Sequence, residues 1–393
     1  MQVVIVSSHA MESSVSLPLP RSLLPARIAL PILFILLGGV FATWAARIPP
    51  LRDALQLGAA ELGLVLLCSG VGAVLSFPLA AWLLARHGAR HAALWSGVAL
   101  LIALPCLALA PQMGWLMLAM FAMGSAASCF DVAINAIGAE VERVAGRSIM
   151  SMLHAWFCLG TFCGALLGSA MAGLQVTPLW HFCLLSAGFL LPLWLSYLAL
   201  PADRIDPAAP RQQFALPHGA LVALGMIAFC GAMIEGSIGD WSGIYLIDHL
   251  GAAPGVAPLG YAVFAGMMLL ARLVGDRLKD RHSARPVLVV GALIASAGVV
   301  VVIPTSQSGI AFVGFALIGA GVAAVFPFIF SAAGKEGPTA LAAVATMGYS
   351  GGLIGPPIIG FLAHGLGLEI AFGFIGVLTL MVALAAGKAS LLK

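Results

Sequence analysis

Trp44-Ala45-Ala46-Arg47, followed by Leu57-Gly58-Ala59-Ala60 and Leu62-Gly63, is answered later in the chain by Trp241-Ser242-Gly243, Leu250-Gly251-Ala252-Ala253 and Leu259-Gly260. The two copies stand roughly 195 residues apart in a chain of 393, so the protein reads as a doubled half. A second echo has nearly the same offset: Gly160, Gly164 and Gly168 in one apolar stretch correspond to Gly352, Pro356 and Gly360 in another. Internal duplication in a strongly apolar chain points to a transporter whose two halves enclose a central site.

Composition decides the solvent. Hydrophobic residues make up 62% of the chain and charged residues 8%, against about a quarter charged in a typical soluble domain, so this is an integral membrane protein. About 20 apolar residues cross roughly 30 Å of hydrocarbon, and twelve stretches qualify: about 28–46, 60–84, 92–110, 113–139, 149–173, 180–200, 219–247, 257–275, 286–304, 309–333, 339–364 and 369–387. They lack the alternating segments of an outer-membrane barrel. The expected fold is all-α, with twelve transmembrane helices in two pseudo-symmetric six-helix halves.

Lys and Arg set the orientation. With a cytoplasmic N-terminus, sixteen of the 18 fall on the inner side, Arg272 and the loop residues Arg86, Arg90 and Arg277 among them; only Arg47 and Arg52 fall outside. That bias places both termini in the cytoplasm of a cell with the protein in its inner membrane. It also accounts for the net charge of +3 without any nucleic-acid partner. The expected organisation is an N-terminal tail 1–26, a bundle 27–200, a Pro-rich cytoplasmic linker 201–218 and a second bundle 219–393. Val3–Val6 is too short an apolar run for a cleavable signal. All seven cysteines sit inside spans with no Cys-x-x-Cys pair and no His at ligand spacing, which predicts small packing residues with no disulfide, metal or cofactor.

Ionisable residues inside spans carry the functional signal, because a charge at mid-membrane costs about 2.5–3.5 kcal/mol even on the lenient insertion scale. Asp131 lies nine residues before Glu140, roughly 13 Å from that helix end at 1.5 Å per residue. Asn135 is one turn further along on the same face and Ser128 three residues back. Glu235 and Asp240 fall in the outer half of the seventh span and His154 in the inner half of the fifth. Asp131, Glu235 and His154 are the proton-coupling candidates, although Asp131 and His154 also suit plain structural roles. Spans three, six, nine and twelve hold no acid or base in their interiors, which suits a peripheral position.

These residues carry a resemblance. Twelve spans in two halves, the basic loop Arg86-His87-Gly88-Ala89-Arg90, its counterpart Gly275-Asp276-Arg277-Leu278 and the Gly-rich fifth and eleventh spans resemble the major facilitator superfamily over nearly the whole chain. Phe130-Asp131-Val132-Ala133-Ile134-Asn135 is similar to the acid-x-x-x-Asn motif of the fucose-permease branch, and Phe41-Ala42-Thr43-Trp44 to its first helix. The resemblance implies that Asp131 is a proton site and that Asn135 faces a sugar. Ala85 stands where the family has an Asp, and no Arg-x-x-Gln-Gly occurs in span four.

The expected function is alternating access by two rocking halves around a midplane site. The Gly-rich fifth and eleventh spans are expected to let the packed halves slide. Trp44, Thr43, Trp241, Tyr261, Phe326, Phe330 and Tyr349 are candidates to line that site beside Asn135 and Ser128, and Arg47, Asp240, Arg86, Arg90, Asp276 and Arg277 to gate it. Acids outnumber bases in the spans, which disfavours a dianionic solute. A neutral, polar, sugar-like solute moved with protons fits best; an exported cationic or amphipathic compound comes second, and a membrane sensor third. No His-Glu-x-x-His, Gly-x-Ser-x-Gly or phosphate-cradling loop is present, so an enzyme is not expected. The protein is expected to work as a monomer whose partners are solute, protons and the bilayer.

Overall fold

The computed structural model describes residues 25–145, 149–200 and 217–392. Most of the N-terminal tail and of the linker, the cations Arg21, Arg147, Arg204, Arg211 and Lys393, and the side chain of Asp276 lie outside the described residues. The helices are α1 (Ala26–Ala45), α2 (Ile48–Ala54), α3 (Ala59–Leu75), α4 (Phe77–Ala108), α5 (Met113–Ala145), α6 (Met150–Gly173), α7 (Pro178–Ala199), α8 (Leu221–Asp248), α9 (Pro258–His282), α10 (Ala284–Val302), α11 (Ser308–Val322), α12 (Val325–Lys335), α13 (Pro338–Leu366) and α14 (Leu368–Lys388). No strand occurs among the described residues.

These fourteen helices make twelve membrane passes. Residues 59–108 form one apolar stretch of 50 residues, long enough for two crossings. It bends at Ser76, where Pro78 cannot pair with the carbonyl four residues back, and reverses at Gly88, whose φ of 82° and ψ of 163° lie in a region open to glycine. The second half makes the matching turn at Ser283, φ 63°, because Pro286, tolerated in the first turn of α10, could not pair within a continued α9. This corrects the counterpart loop expected at Gly275-Asp276-Arg277-Leu278. With no proline between 275 and 282, α9 runs on to His282, and Arg277 and Leu278 lie exposed on its extension. Similarly, α11 and α12 form one pass broken at Ala323 and Ala324.

Helix pairing repeats in the two halves. In the first, α1 packs on α6 and α7, and α5 on α3 and α4; in the second, α8 packs on α13 and α14, and α11 on α9 and α10. The remaining pair, α4 with α7, is matched by α10 with α14. The halves meet along α3 with α13 and along α6 with α9. The periphery is α4, α7, α10 and α14, as the absence of mid-span charge predicted. Leu191 and Trp194 on α7, Val290 and Val300 on α10, and Leu380 and Leu384 on α14 all present exposed apolar surface. In water such a belt would drive association; in a bilayer it meets hydrocarbon.

The glycine runs serve a different contact from the one expected. A side-chain carbon on Gly160 would collide with the Ile35 backbone, one on Gly164 would lie 2.9 Å from the Gly39 carbonyl, and one on Gly168 would collide with Ala46. All three therefore seat α6 on α1 within the first half. Gly352 and Pro356 likewise adjoin Ala232 and Gly236 of α8. Only Gly360 of that set crosses between halves, 2.9 Å from the Gly63 Cα when given a side-chain carbon. One stripe of small residues admits one close neighbour, and the opposite face of α6, with Cys158, Phe162 and Ser169, meets the other half instead.

Candidate functional site

Contacts between the halves cluster at two levels. The first is the end of the bundle that carries α2. Arg52 of α2 donates to both carboxylate oxygens of Asp248 at the end of α8, one bond being 2.9 Å, and also to Asp53 at 2.8–2.9 Å. The Asp248 hydrogen bond, with Asp53 adding to it against the cost of burial, holds the Arg52 guanidinium above its ordinary range. Ser169 donates to the Gly255 carbonyl at 2.5 Å, and Gly63 of α3 meets Pro357 and Gly360 of α13. Trp241 Nε1 donates to the Pro356 carbonyl at 2.9 Å with the ring fully enclosed. That places Trp241 in the packing of α8 on α13 in this state, away from any open surface.

Deeper in, a charged cluster joins three helices. Arg272 of α9 donates to Glu235 of α8 at 3.4 Å, to the Cys158 sulfur of α6 at 2.6 Å and to the Ala323 carbonyl at 3.2 Å. Arg272 is 11% exposed and Glu235 25%, so the pair is largely shielded from water. His154, one turn before Cys158, lies within the field of Arg272 and packs edge-on against Phe34 at 5.5 Å; it joins this cluster, and among the described residues no ion pair links it to Asp131. Tyr261 lies beside Gly239, close enough to feel Asp240 and Glu235. Among the described residues no ion pair is made by Asp240.

The Arg272 geometry adds to one expectation. Arg272 lies three residues inside the end of the apolar stretch at Gly275, and its guanidinium is turned into the helix bundle, towards Glu235 and Cys158. Cys158 accepts a hydrogen bond from a guanidinium and so does more than fill space, while all seven cysteines are free thiols.

Asp131 forms a third feature, on α5. Its carboxylate accepts from Asn135 Nδ2 at 2.8 Å, and the same Nδ2 donates to the Asp131 carbonyl at 2.8 Å. The one-turn spacing in the sequence thus brings the two side chains together. Across the junction, Tyr349 of α13 lies within electrostatic reach of Asp131 and is 54% exposed although it sits mid-helix. Phe326 stands beside Gly348 and pairs with Phe330 at 5.5 Å. Thr43, Trp44 and Ser128 are buried. Arg90 stacks over Tyr197 of its own half at 4.3 Å, and Arg86 and Arg277 are exposed. The cross-half ties at the α2 end run through Arg52 and Asp248, which the gating reading passed over, and Arg47 instead bonds to His181 at 3.0 Å.

Two pseudo-symmetric six-helix halves, joined by the Arg52–Asp248 ion pair, the Arg272–Cys158 hydrogen bond and close glycine contacts around part-buried acids, define a multi-pass solute transporter. Residues 29–347 match the Major Facilitator Superfamily. The chain is 35% identical over 357 residues to an uncharacterized MFS-type transporter of Yersinia pestis, covering 90% of this chain and 93% of the relative. Its fold is similar to that of the nucleoside transporter NupG, with a TM-score of 0.75 and 14% identity over 93% of this chain and 99% of the other. It is equally similar to a D-xylose-proton symporter, with a TM-score of 0.74 and 13% identity over 94% of this chain and 98% of the other. The chain belongs to the Major Facilitator Superfamily, a family of transporters and not of enzymes.

Proposed function

We infer that this protein moves a small, neutral, polar solute together with protons by alternating access across a bacterial inner membrane, with both termini in the cytoplasm. The carrying observation is the state of Asp131. Its partner is Asn135 on its own helix, and no Lys, Arg or His among the described residues pairs with it. A carboxylate without a counter-charge inside a membrane is costly, and a proton is the smallest ligand that removes the charge. Asn135 spends one amide hydrogen on Asp131 and keeps its carbonyl oxygen for a solute hydroxyl. The fucose-permease-like motif supports this pairing of acid and amide, and the D-xylose-proton symporter and the nucleoside transporter have the same fold as this chain. Glu235, held by Arg272, is the second proton site in this reading, since protonation would release the guanidinium that bridges to Cys158.

The second reading is export of a cationic compound, favoured by Asp240, which has no ionic partner among the described residues and adjoins Tyr261. The experiment is solute uptake into proteoliposomes with an imposed proton gradient, screened over sugars, nucleosides and organic cations. Accumulation of a neutral polar solute that collapses with the gradient supports symport. Gradient-driven extrusion of a cation, with no neutral solute accumulated, would replace it with the exporter. Orientation is tested by reporters after Lys393, expected cytoplasmic, and at Ala252, expected periplasmic; the opposite result at either site refutes the assigned topology.

A further inference from the structure

We propose that Arg47 and His181 hold a small monovalent anion of halide size, enclosed between α1, α6 and α7 at the α2 end. Arg47 is 4% exposed and His181 fully enclosed. The Arg47 Nε donates to His181 Nδ1 at 3.0 Å. A ring nitrogen that accepts is unprotonated, so the imidazole is neutral and carries its hydrogen on Nε2. The pair therefore retains the full guanidinium charge.

That charge has no answer from the protein. No carboxylate among the described residues bonds to Arg47 or acts on it. The nearest acid in sequence, Asp53, is taken by Arg52. Two N–H donors of the pair, Arg47 Nη2 and His181 Nε2, are enclosed without any hydrogen-bond partner, and so are Thr43 Oγ1 and Trp44 Nε1 from the last turn of α1. Buried donors are almost always satisfied, and a buried unpaired charge costs more than a neutral group. A guanidinium N–H and an imidazole N–H of one bonded pair, both enclosed and both without an acceptor, call for an acceptor-only ligand carrying a negative charge. A water molecule would fill the hydrogen bonds and leave the charge standing. Space is narrow: Gly168 of α6 faces His181 Cε1, with a side-chain carbon placed 3.8 Å away. This favours a single-atom ion over a branched oxyanion.

The ion would brace the bend between α1 and α2. Five residues further on, α2 carries Arg52, which ties the halves to Asp248, so occupancy should favour the state closed at the α2 end.

The test is thermal unfolding of the purified full-length protein in sodium chloride, bromide, acetate and gluconate at equal ionic strength. Chloride and bromide should raise the midpoint in a saturable way, as a native-state ligand must, and gluconate should not. Arg47→Gln and His181→Gln should both lose the halide increment, His181→Gln with little change in the gluconate midpoint. Crystals grown in bromide should show an anomalous peak within hydrogen-bond distance of Arg47, a readout that needs no variant to fold. Equal midpoints in halide and gluconate, or an increment that survives in both variants, would overturn the assignment. Stabilisation by acetate with none by halide would overturn the halide-sized ion.

Discussion

Replacing Arg272 with Met removes a guanidinium that contacts α6, α8 and the Ala323 carbonyl at once. At the observed 3.4 Å to Glu235, the gross attraction is about 5 kcal/mol at an effective dielectric of about 20. Desolvation offsets much of that, but removing one partner of a buried pair strands the other, which costs about 3–5 kcal/mol. The long bond and the partial exposure of Glu235 argue for about 3 kcal/mol. Glu235→Gln should cost less, because Arg272 keeps two acceptors. The double variant Arg272→Met, Glu235→Gln should be more stable than Arg272→Met alone, since no stranded charge remains. Reversible denaturant unfolding in detergent, run as a double-mutant cycle, measures the coupling. Simple additivity of the two single costs would refute the ion pair as a tie within the membrane.

Arg52→Ala should shift the halves toward opening at the α2 end, by about fivefold for a partly exposed pair worth up to about 1 kcal/mol. Distance measurements between spin labels on α2 and α8 would detect it, and no shift would place closure in the glycine contacts instead. Gly360→Val should obstruct that closure, because its side chain would press on the Ala59 carbonyl and Gly63; labels at that end would then report a persistently open population, and unchanged distances would count against the contact. Asn135→Ala should weaken binding of the native polar solute by about 1–3 kcal/mol, the cost of an unmet buried partner, while apolar competitors bind as before. Equal loss of both ligand types would assign Asn135 to helix packing.

The passes, their pairing into halves and the bare periphery are legible in the sequence because hydrocarbon imposes them residue by residue. Asp131 and Asn135 are legible for a local reason too, since four residues make one helical turn. Arg272 with Glu235 and Cys158 is not, because the rotation of three helices about their axes decides that contact and no short spacing records it. Where α9 ends misled as well: the apolar run stops near 275 but the helix reaches His282. One signal was available for the α2 end. Arg52 and Asp248 are 196 residues apart, close to the offset of the repeat, and equivalent positions near a two-fold axis meet. The glycine stripes show the converse, a strong local pattern whose partner helix the pattern does not name.

Proton coupling through Asp131 is the central claim, and its most direct measurement is proton entry into proteoliposomes during solute uptake, followed with an internal pH dye. The native protein should acidify the interior when its solute is added. Asp131→Asn, which preserves shape and removes the titrating group, should exchange solute between the two sides with no acidification and no accumulation against a gradient. Solute-driven acidification that persists in Asp131→Asn would contradict the account and transfer the proton to Glu235.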